Sequence, residues 1–270
     1  MKSQSEKIAV LTSYDASFTT RIEEAGADVI LVGDSLGGVI QGKTDTLSVT
    51  MDDVAYHLKH VATARTNSLL IADMPYHTYI TIPQAIENAK RLIDAGADMV
   101  KLEGVHDNTD IKSSDNADKI SASIEKIIQK GIPVCGHLGL LPQSVNELGG
   151  YKVQGKEVAA REQMLSDAKL LESLGVDMIV LECIPSDLAK TLSSAISIPT
   201  IGIGAGIDCD GQVLVLYDLL GITPGKLPRF VKNYLSDDLS SKNDNKIVNA
   251  ISNFVSDVKQ GKFPGPEHSY

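Results

Sequence analysis

The chain has 270 residues, of which 43% are hydrophobic and 22% charged, enough apolar material for a large core. Its 25 Lys and Arg against 35 Asp and Glu give a formal net charge of −10, the wrong sign for a nucleic-acid or anionic membrane partner. No apolar run approaches the roughly 20 residues of a spanning helix, and MKSQSEKIAV lacks a secretory signal, which predicts a cytoplasmic protein. Three cysteines without CxxC spacing argue against a disulfide framework or a zinc site.

Eight short apolar runs alternate with helical patterns along the chain. The runs are almost continuously apolar, which is typical of strands buried on both faces of a parallel sheet. In chain order they cover 8–13, 29–34, 69–74, 99–104, 133–139, 178–183, 199–204 and 213–218. Thr50 is placed to cap a helix, Pro83 suits the first turn of the next, and later helical patterns cover 117–129, 157–174, 186–195 and 246–257.

The regular alternation, without a linker, predicts the fold class and the domain organisation. Three helix-to-strand joints are alike, with a glycine that can end the helix and an acidic residue at the far end of the next strand: 23–34, 93–104 and 172–183. The pattern favours a single (β/α)8 TIM barrel over residues 1–270, since such barrels typically have about 250 residues. A doubly wound parallel sheet is the alternative.

Acidic residues stand at the predicted strand ends, where the active groups of a parallel α/β barrel gather. Asp34 closes the second strand, Asp73 the third, Glu103 the fourth and Glu182 the sixth. Lys101 precedes Glu103 by two residues and therefore lies on the same side of its strand. Convergent carboxylates favour a hard divalent ion such as Mg²⁺. Each acid alone is more often a rim residue or a helix cap, and a structural salt bridge between Lys101 and Glu103 stays open.

Two glycine-rich stretches have a functional and a structural interpretation. GGVIQGKT (37–44) matches the phosphate-loop pattern, but the next helix is predicted only after Thr50, so we interpret the match as accidental. GIGAG (202–206) is typical of a tight turn or of close backbone approach to a ligand.

In the fifth strand, His137 either points into the mouth of the barrel or satisfies a hydrogen bond in the core. Ser35 either caps a helix or binds a substrate carboxylate.

Many blocks of the sequence resemble the ketopantoate hydroxymethyltransferase family. The longest is GHLGLLPQSVNELGGYKVQGK (136–156), and the others run in order from residue 11 to the end of the chain, among them LTSYD (11–15), GDSLGGVIQG (33–42), IADMPY (71–76), VKLEG (100–104), LECIP (181–185) and FPGPEHS (263–269). The resemblance implies a (β/α)8 barrel related to the phosphoenolpyruvate and pyruvate enzymes, Mg²⁺ dependence and a homodecamer. It further implies hydroxymethyl transfer from 5,10-methylenetetrahydrofolate to 3-methyl-2-oxobutanoate, giving ketopantoate for pantothenate and coenzyme A synthesis.

The resemblance also implies roles for individual residues. Asp34, Asp73 and Glu103 would serve the Mg²⁺ site, with Glu103 acting through water. The substrate-contacting positions are Asp34, Ser35, Asp73 and Lys101. Glu182 matches the proton acceptor, and His137 is retained as an accessory residue. The remaining alternatives are a keto-acid lyase or mutase on the same barrel, a phosphate-loop nucleotide-binding protein, and a binding protein without catalytic activity.

Overall fold

A closed parallel barrel organises the chain in the computed structural model, which describes residues 2, 6–106, 119–146, 149–237 and 245–270. Within these residues, eight strands pair in chain order and the eighth pairs with the first. They are β1 (Ile8–Thr12), β2 (Val29–Val32), β3 (Leu69–Asp73), β4 (Met99–Lys101), β5 (Val134–Gly139), β6 (Met178–Glu182), β7 (Thr200–Ile203) and β8 (Gly211–Leu214). The prediction of a TIM barrel is therefore confirmed, and the open doubly wound sheet is wrong.

Helices follow the strands and cover the outside of the barrel. The described helices are α1 (Ala16–Ala25), α2 (Leu36–Val39), α3 (Met51–Ala64), α4 (Ile82–Asp94), α5 (Lys119–Gln129), α6 (Val158–Leu174), α7 (Ser186–Ala195), α8 (Leu216–Leu219), α9 (Tyr234–Asp237) and α10 (Lys246–Lys259). As predicted, Thr50 caps α3: its hydroxyl accepts the Asp53 N–H, and the Asp53 carboxylate accepts the Thr50 N–H. Gly26 ends α1 and Gly175 ends α6 with φ of 79° and 93°, values that favour glycine.

The core has two layers because alternate strand residues face the barrel interior and the helices. All four residues of β2 are buried, and so are all five of β1. The long helices supply the outer layer from one face only, as Val54, Leu58 and Val61 do on α3. Burial on both faces explains why the strands show no alternation of polar and apolar residues.

The eighth strand differs from its prediction. The apolar run 213–218 was expected to be a strand, but the strand covers Gly211–Leu214 and a short helix starts at Leu216. Gly211 and Gln212, which are poor strand formers, pair with β1, so barrel closure overrides their local preference. The Leu216 N–H then donates to the hydroxyl of Thr12 at 3.1 Å, where the chain leaves the sheet.

The sequence pattern also predicts a loop over 105–116 and a loosely structured stretch over 231–247. Residues 107–116 of that loop, 117–118 of the predicted helix 117–129, and 238–244 of that stretch lie outside the described residues. The described part of that stretch contains α9 and the start of α10, so it is more helical than predicted. Among the described helices, none combines the length and the apolar character that crossing a membrane requires.

Candidate active site

A cavity of about 140 Å³ lies where the strands end, and every strand or the loop after it contributes to its wall. The lining residues include Thr12, Leu31, Asp34, Ser35, Asp73, Lys101, Glu103, His137, Val180, Glu182, Ile203 and Val213. Wider depressions of 760 and 500 Å³ are lined mainly by helix residues, from α1 and α3 and from α3 and α4. The cavity at the strand ends is the candidate site, because all of the predicted site residues meet there.

Lys101 is the cation of the cavity and pairs with Asp73 on the neighbouring strand. Its Nζ donates to Asp73 Oδ1 at 2.6 Å, whereas Glu103 Oε1 is 3.9 Å away. The register of β3 and β4 places Asp73 directly opposite Lys101, which explains this choice of partner. Burial alone would lower the pKa of Lys101, but the carboxylates of Asp73, Glu103 and Asp34 outweigh it and raise the pKa. The ammonium is therefore charged, and the expected salt bridge runs mainly to Asp73.

Asp34 and Ser35 follow β2 and bring a carboxylate and a hydroxyl to the cavity wall. The Asp34 N–H donates to Asp73 Oδ2 at 2.9 Å, which ties the two acidic residues together. Burial, and then the negative charges of Asp73 and Glu103, raise the pKa of Asp34 to about 8. The Ser35 side chain does not cap α2 and instead shares a hydrogen bond of 2.8 Å with the hydroxyl of Tyr14.

His137 points into the cavity at the mouth of the barrel. Of the two orientations that the sequence left open, this one is observed, and not a hydrogen bond in the core. Its Nδ1 is 3.4 Å from Glu103 Oε1 and its Nε2 is 3.3 Å from Glu182 Oε2. Both contacts are close enough for ion pairs but lack hydrogen-bond geometry. Burial and Lys101 lower the pKa of His137, whereas Glu103 and Glu182 raise it, with a net value of about 9. An imidazolium between two carboxylates keeps both side chains directed into the cavity.

Gln143 is a site residue that the sequence analysis did not single out. It lies in a short 3₁₀ turn after β5, at 4% exposure. Its side-chain Nε2 donates to Asp34 Oδ2 at 2.9 Å and to the Met74 carbonyl at 3.1 Å. Its backbone N–H donates to Glu103 Oε2 at 3.0 Å, and the hydroxyl of Tyr79 donates to its Oε1 at 2.6 Å. The only local signal was a polar residue after Pro142 in a loop at the carboxyl end of a strand.

The cavity has the donor chemistry of a hard cation site. The described residues contain no group of three or more His, Cys, Asp or Glu side chains arranged to hold a metal ion. Mg²⁺, however, is commonly held by one or two carboxylates and keeps several waters, so the linked pair Asp34 and Asp73 is sufficient. Glu103 adds a buried Oε1 without a hydrogen-bond partner. Among the lining residues, the five acidic side chains of Asp34, Asp73, Glu103, Glu182 and Asp218 face the cations Lys101 and His137, so a divalent cation fits both the donors and the charge.

The two glycine-rich stretches have structural explanations. Within 37–44, residues 42–44 are not helical and the next helix starts at Met51, so no helix N-terminus faces a phosphate there. At the end of β7, a Cβ on Gly204 would lie 2.9 Å from Phe230 and 3.0 Å from Tyr270. Side chains of the protein fill the space beside this glycine, which favours the tight turn over approach to a ligand.

Comparisons with known proteins find relatives along almost the whole chain. A sequence model of the ketopantoate hydroxymethyltransferase family matches residues 1–266. The 3-methyl-2-oxobutanoate hydroxymethyltransferase of Ruthia magnifica subsp. Calyptogena magnifica is 50% identical over 269 residues, covering 100% of this chain and 96% of that protein. The protein of the same name from Shewanella sediminis is 49% identical, with coverages of 100% and 95%.

Solved structures with the same fold are far more distant in sequence. Phosphonopyruvate hydrolase in complex with oxalate and Mg²⁺ has a TM-score of 0.59 at 12% identity, covering 79% of this chain and 77% of its own. The 2,3-dimethylmalate lyase, a member of the PEP mutase/isocitrate lyase superfamily, has a TM-score of 0.59 at 15% identity, with coverages of 82% and 79%. At such identities the likeness shows the fold alone, which is the predicted (β/α)8 barrel.

Proposed function

Since the chain belongs to the ketopantoate hydroxymethyltransferase family, we propose that it transfers a hydroxymethyl group from 5,10-methylenetetrahydrofolate to 3-methyl-2-oxobutanoate with the help of Mg²⁺. The product is ketopantoate. The observation that carries this proposal is the convergence of Asp34, Asp73, Lys101, Glu103 and Glu182 in one cavity at the strand ends. These groups combine a cation, oxygen donors for a divalent ion and a partly exposed carboxylate.

An anionic keto acid can enter this acidic cavity only where positive charge meets its oxygens. Lys101 supplies one such charge, held in place by its bond to Asp73. Mg²⁺ bound by Asp34 and Asp73, with Glu103 acting through water, would supply Lewis-acid charge at the keto and carboxylate oxygens. Ser35, fixed by Tyr14, adds a hydroxyl for the substrate carboxylate.

The difficult step removes the proton from C3 of 3-methyl-2-oxobutanoate, next to the ketone. Glu182 is suited to accept this proton because its side chain is 15% exposed, whereas the side chains of Asp73 and Glu103 are each 3% exposed. His137 lies 3.3 Å from Glu182 Oε2 and orients the carboxylate. As the electron pair moves from C3 toward the keto oxygen, Lys101 stabilises the developing negative charge.

The carbanion then forms a carbon–carbon bond to the one-carbon unit of the folate. The methylene carbon gives up both of its bonds to folate nitrogens, and the C3 proton held by Glu182 and the two protons of one water molecule end on these nitrogens and on the new hydroxyl. Water must supply the oxygen of the new hydroxyl, since the methylene group carries none.

We extend the proposal to a cytoplasmic homodecamer acting in pantothenate and coenzyme A synthesis, as the family resemblance implies. Sedimentation of the protein as a monomer would contradict the oligomer.

A single assay tests the reaction. The purified protein is given 3-methyl-2-oxobutanoate, 5,10-methylenetetrahydrofolate and Mg²⁺, and ketopantoate is measured by mass spectrometry, with each component omitted in turn. We expect product only when all three are present, and loss of activity with EDTA that excess Mg²⁺ reverses. Cleavage of the keto acid without folate would indicate a lyase instead. Turnover of ATP or GTP would favour a nucleotide site, and tight keto-acid binding without product would indicate a binding protein.

A further inference from the structure

We infer that Gln143 is a positioning residue that orients the Mg²⁺-binding carboxylates, an inference that rests on the proposed function. Gln143 comes from the loop after β5, but its hydrogen bonds reach the ends of three other strands. Its Nε2 contacts Asp34 after β2 and the Met74 carbonyl after β3, and its backbone N–H contacts Glu103 after β4. One buried residue therefore holds two of the three carboxylates assigned to the cation.

The orientation of the Gln143 amide follows from its neighbours. The Met74 carbonyl, which can only accept a hydrogen bond, lies at the same end of the amide as the Asp34 side chain. That end must therefore be the NH₂ group. The other end accepts the hydroxyl of Tyr79 at 2.6 Å. Each polar atom of the amide has a partner, so the side chain is locked in one direction.

A neutral donor at this position has a specific consequence for cation binding. Asp73 is already paired with the ammonium of Lys101. The amide and the N–H of Gln143 fix the directions of Asp34 and Glu103, and as neutral donors they add no positive charge beside these side chains. Gln143 contacts Asp34 through Oδ2, so Oδ1 keeps its direction and is available to a cation. Groups that orient metal ligands in this way commonly affect metal affinity by about 10- to 100-fold.

The test is Mg²⁺ binding to the full-length, substrate-free protein by isothermal titration calorimetry. Gln143→Met keeps the length of the side chain and removes its side-chain hydrogen bonds to Asp34, Met74 and Tyr79, while the backbone N–H to Glu103 stays. We expect the Kd for Mg²⁺ to rise by about tenfold or more. In the ketopantoate assay, half-saturation should need correspondingly more Mg²⁺, with kcat restored at excess Mg²⁺. A purely structural role would lower the melting temperature but leave both readouts unchanged.

Gln212→Met is the matched control. Gln212 is a glutamine of β8 at 3% exposure whose Nε2 donates to the backbone carbonyl of Gly206 at 2.9 Å rather than to a carboxylate of the cavity. We expect its Kd for Mg²⁺ to stay within about twofold of the wild-type value, because the lost hydrogen bond does not involve the residues that would bind the cation. Tyr79→Phe removes only the donor to Gln143 Oε1, and we expect about threefold weaker Mg²⁺ binding, the effect of one ordinary hydrogen bond.

The outcomes separate this inference from the proposed function. If the wild-type protein binds Mg²⁺ and forms ketopantoate while Gln143→Met has the same Kd, the positioning role is refuted and the proposed function stands. If Gln143→Met does not fold, unchanged Mg²⁺ affinity in Tyr79→Phe refutes it. A wild-type protein that binds no Mg²⁺ would refute the metal part of the proposed function and this inference together.

Discussion

Replacing Lys101 by methionine tests the central electrostatic feature of the cavity. The ion pair of Lys101 and Asp73 is 2.6 Å long, and the two side chains are 6% and 3% exposed. Removing one partner of such a buried pair leaves an uncompensated charge and typically costs about 3 to 5 kcal/mol. For a protein of this size, at roughly 2 °C per kcal/mol, the melting temperature should fall by about 6 to 10 °C.

The structure indicates that the loss in the free energy of unfolding lies in the lower part of the range of about 3 to 5 kcal/mol. The pKa of Asp34 is already raised to about 8, so the cluster can take up a proton when the ammonium is lost. The variant should accordingly be more stable at pH 6 than at pH 9 relative to the wild type, because protonation removes one of the uncompensated charges. Added Mg²⁺ should stabilise the variant more than the wild type, since a cation replaces the missing charge.

Thermal unfolding with and without Mg²⁺ measures these effects, and two further variants control them. Lys59→Met changes an exposed lysine of α3 and should alter the free energy of unfolding by less than about 0.5 kcal/mol. Lys101→Met combined with Asp73→Asn removes both charges and should recover most of the lost stability. If the double variant is as unstable as the single one, the loss comes from packing and the electrostatic reasoning is refuted.

Three further predictions concern the base, the cation site and the outer surface. Glu182→Gln should lower kcat by about 10²-fold or more with little change in melting temperature, and near-wild-type activity would remove Glu182 from the base role. Asp34→Ala should weaken Mg²⁺ and keto-acid binding together in calorimetry, and unchanged affinity for both would reject the shared site. Burial would raise the pKa of Glu23, but hydrogen bonds from Thr66, Ser68 and Asn67 outweigh it and lower the pKa to about 2. A carboxyl group whose pKa is lowered in the folded state stabilises the protein above the ordinary pKa of 4.5, and this stabilisation is lost as the pH falls toward 2. In urea unfolding, the free energy of unfolding of Glu23→Gln should therefore fall less than that of the wild type between pH 6 and pH 3.5. The difference should be about 1 kcal/mol or less, because solvent screens this half-buried carboxylate, and identical pH dependence of the two proteins would contradict it.

Local patterns in the sequence were sufficient for the barrel and for the acidic residues of its mouth. A strand buried on both faces must be apolar throughout, so the runs that become β1 to β7 can be recognised without tertiary information. An acidic residue that directly follows such a run can only lie near the strand end. Asp34, Asp73, Glu103 and Glu182 were therefore predictable as a convergent set once the strands were known.

Only the tertiary structure decided which of these groups contact each other. Lys101 pairs with Asp73 because of the register between β3 and β4, whereas the sequence alone left open a salt bridge to its neighbour Glu103. The direction of His137, the shift of β8 to Gly211–Leu214 and the contacts of Gln143 were likewise decided by packing. Gln143 and Asp34 are 109 residues apart, and their contact depends on barrel closure and on where two loops cross. Residue spacing encodes the position of a side chain along its own strand, but the distance between two strand ends exists only after the barrel has closed.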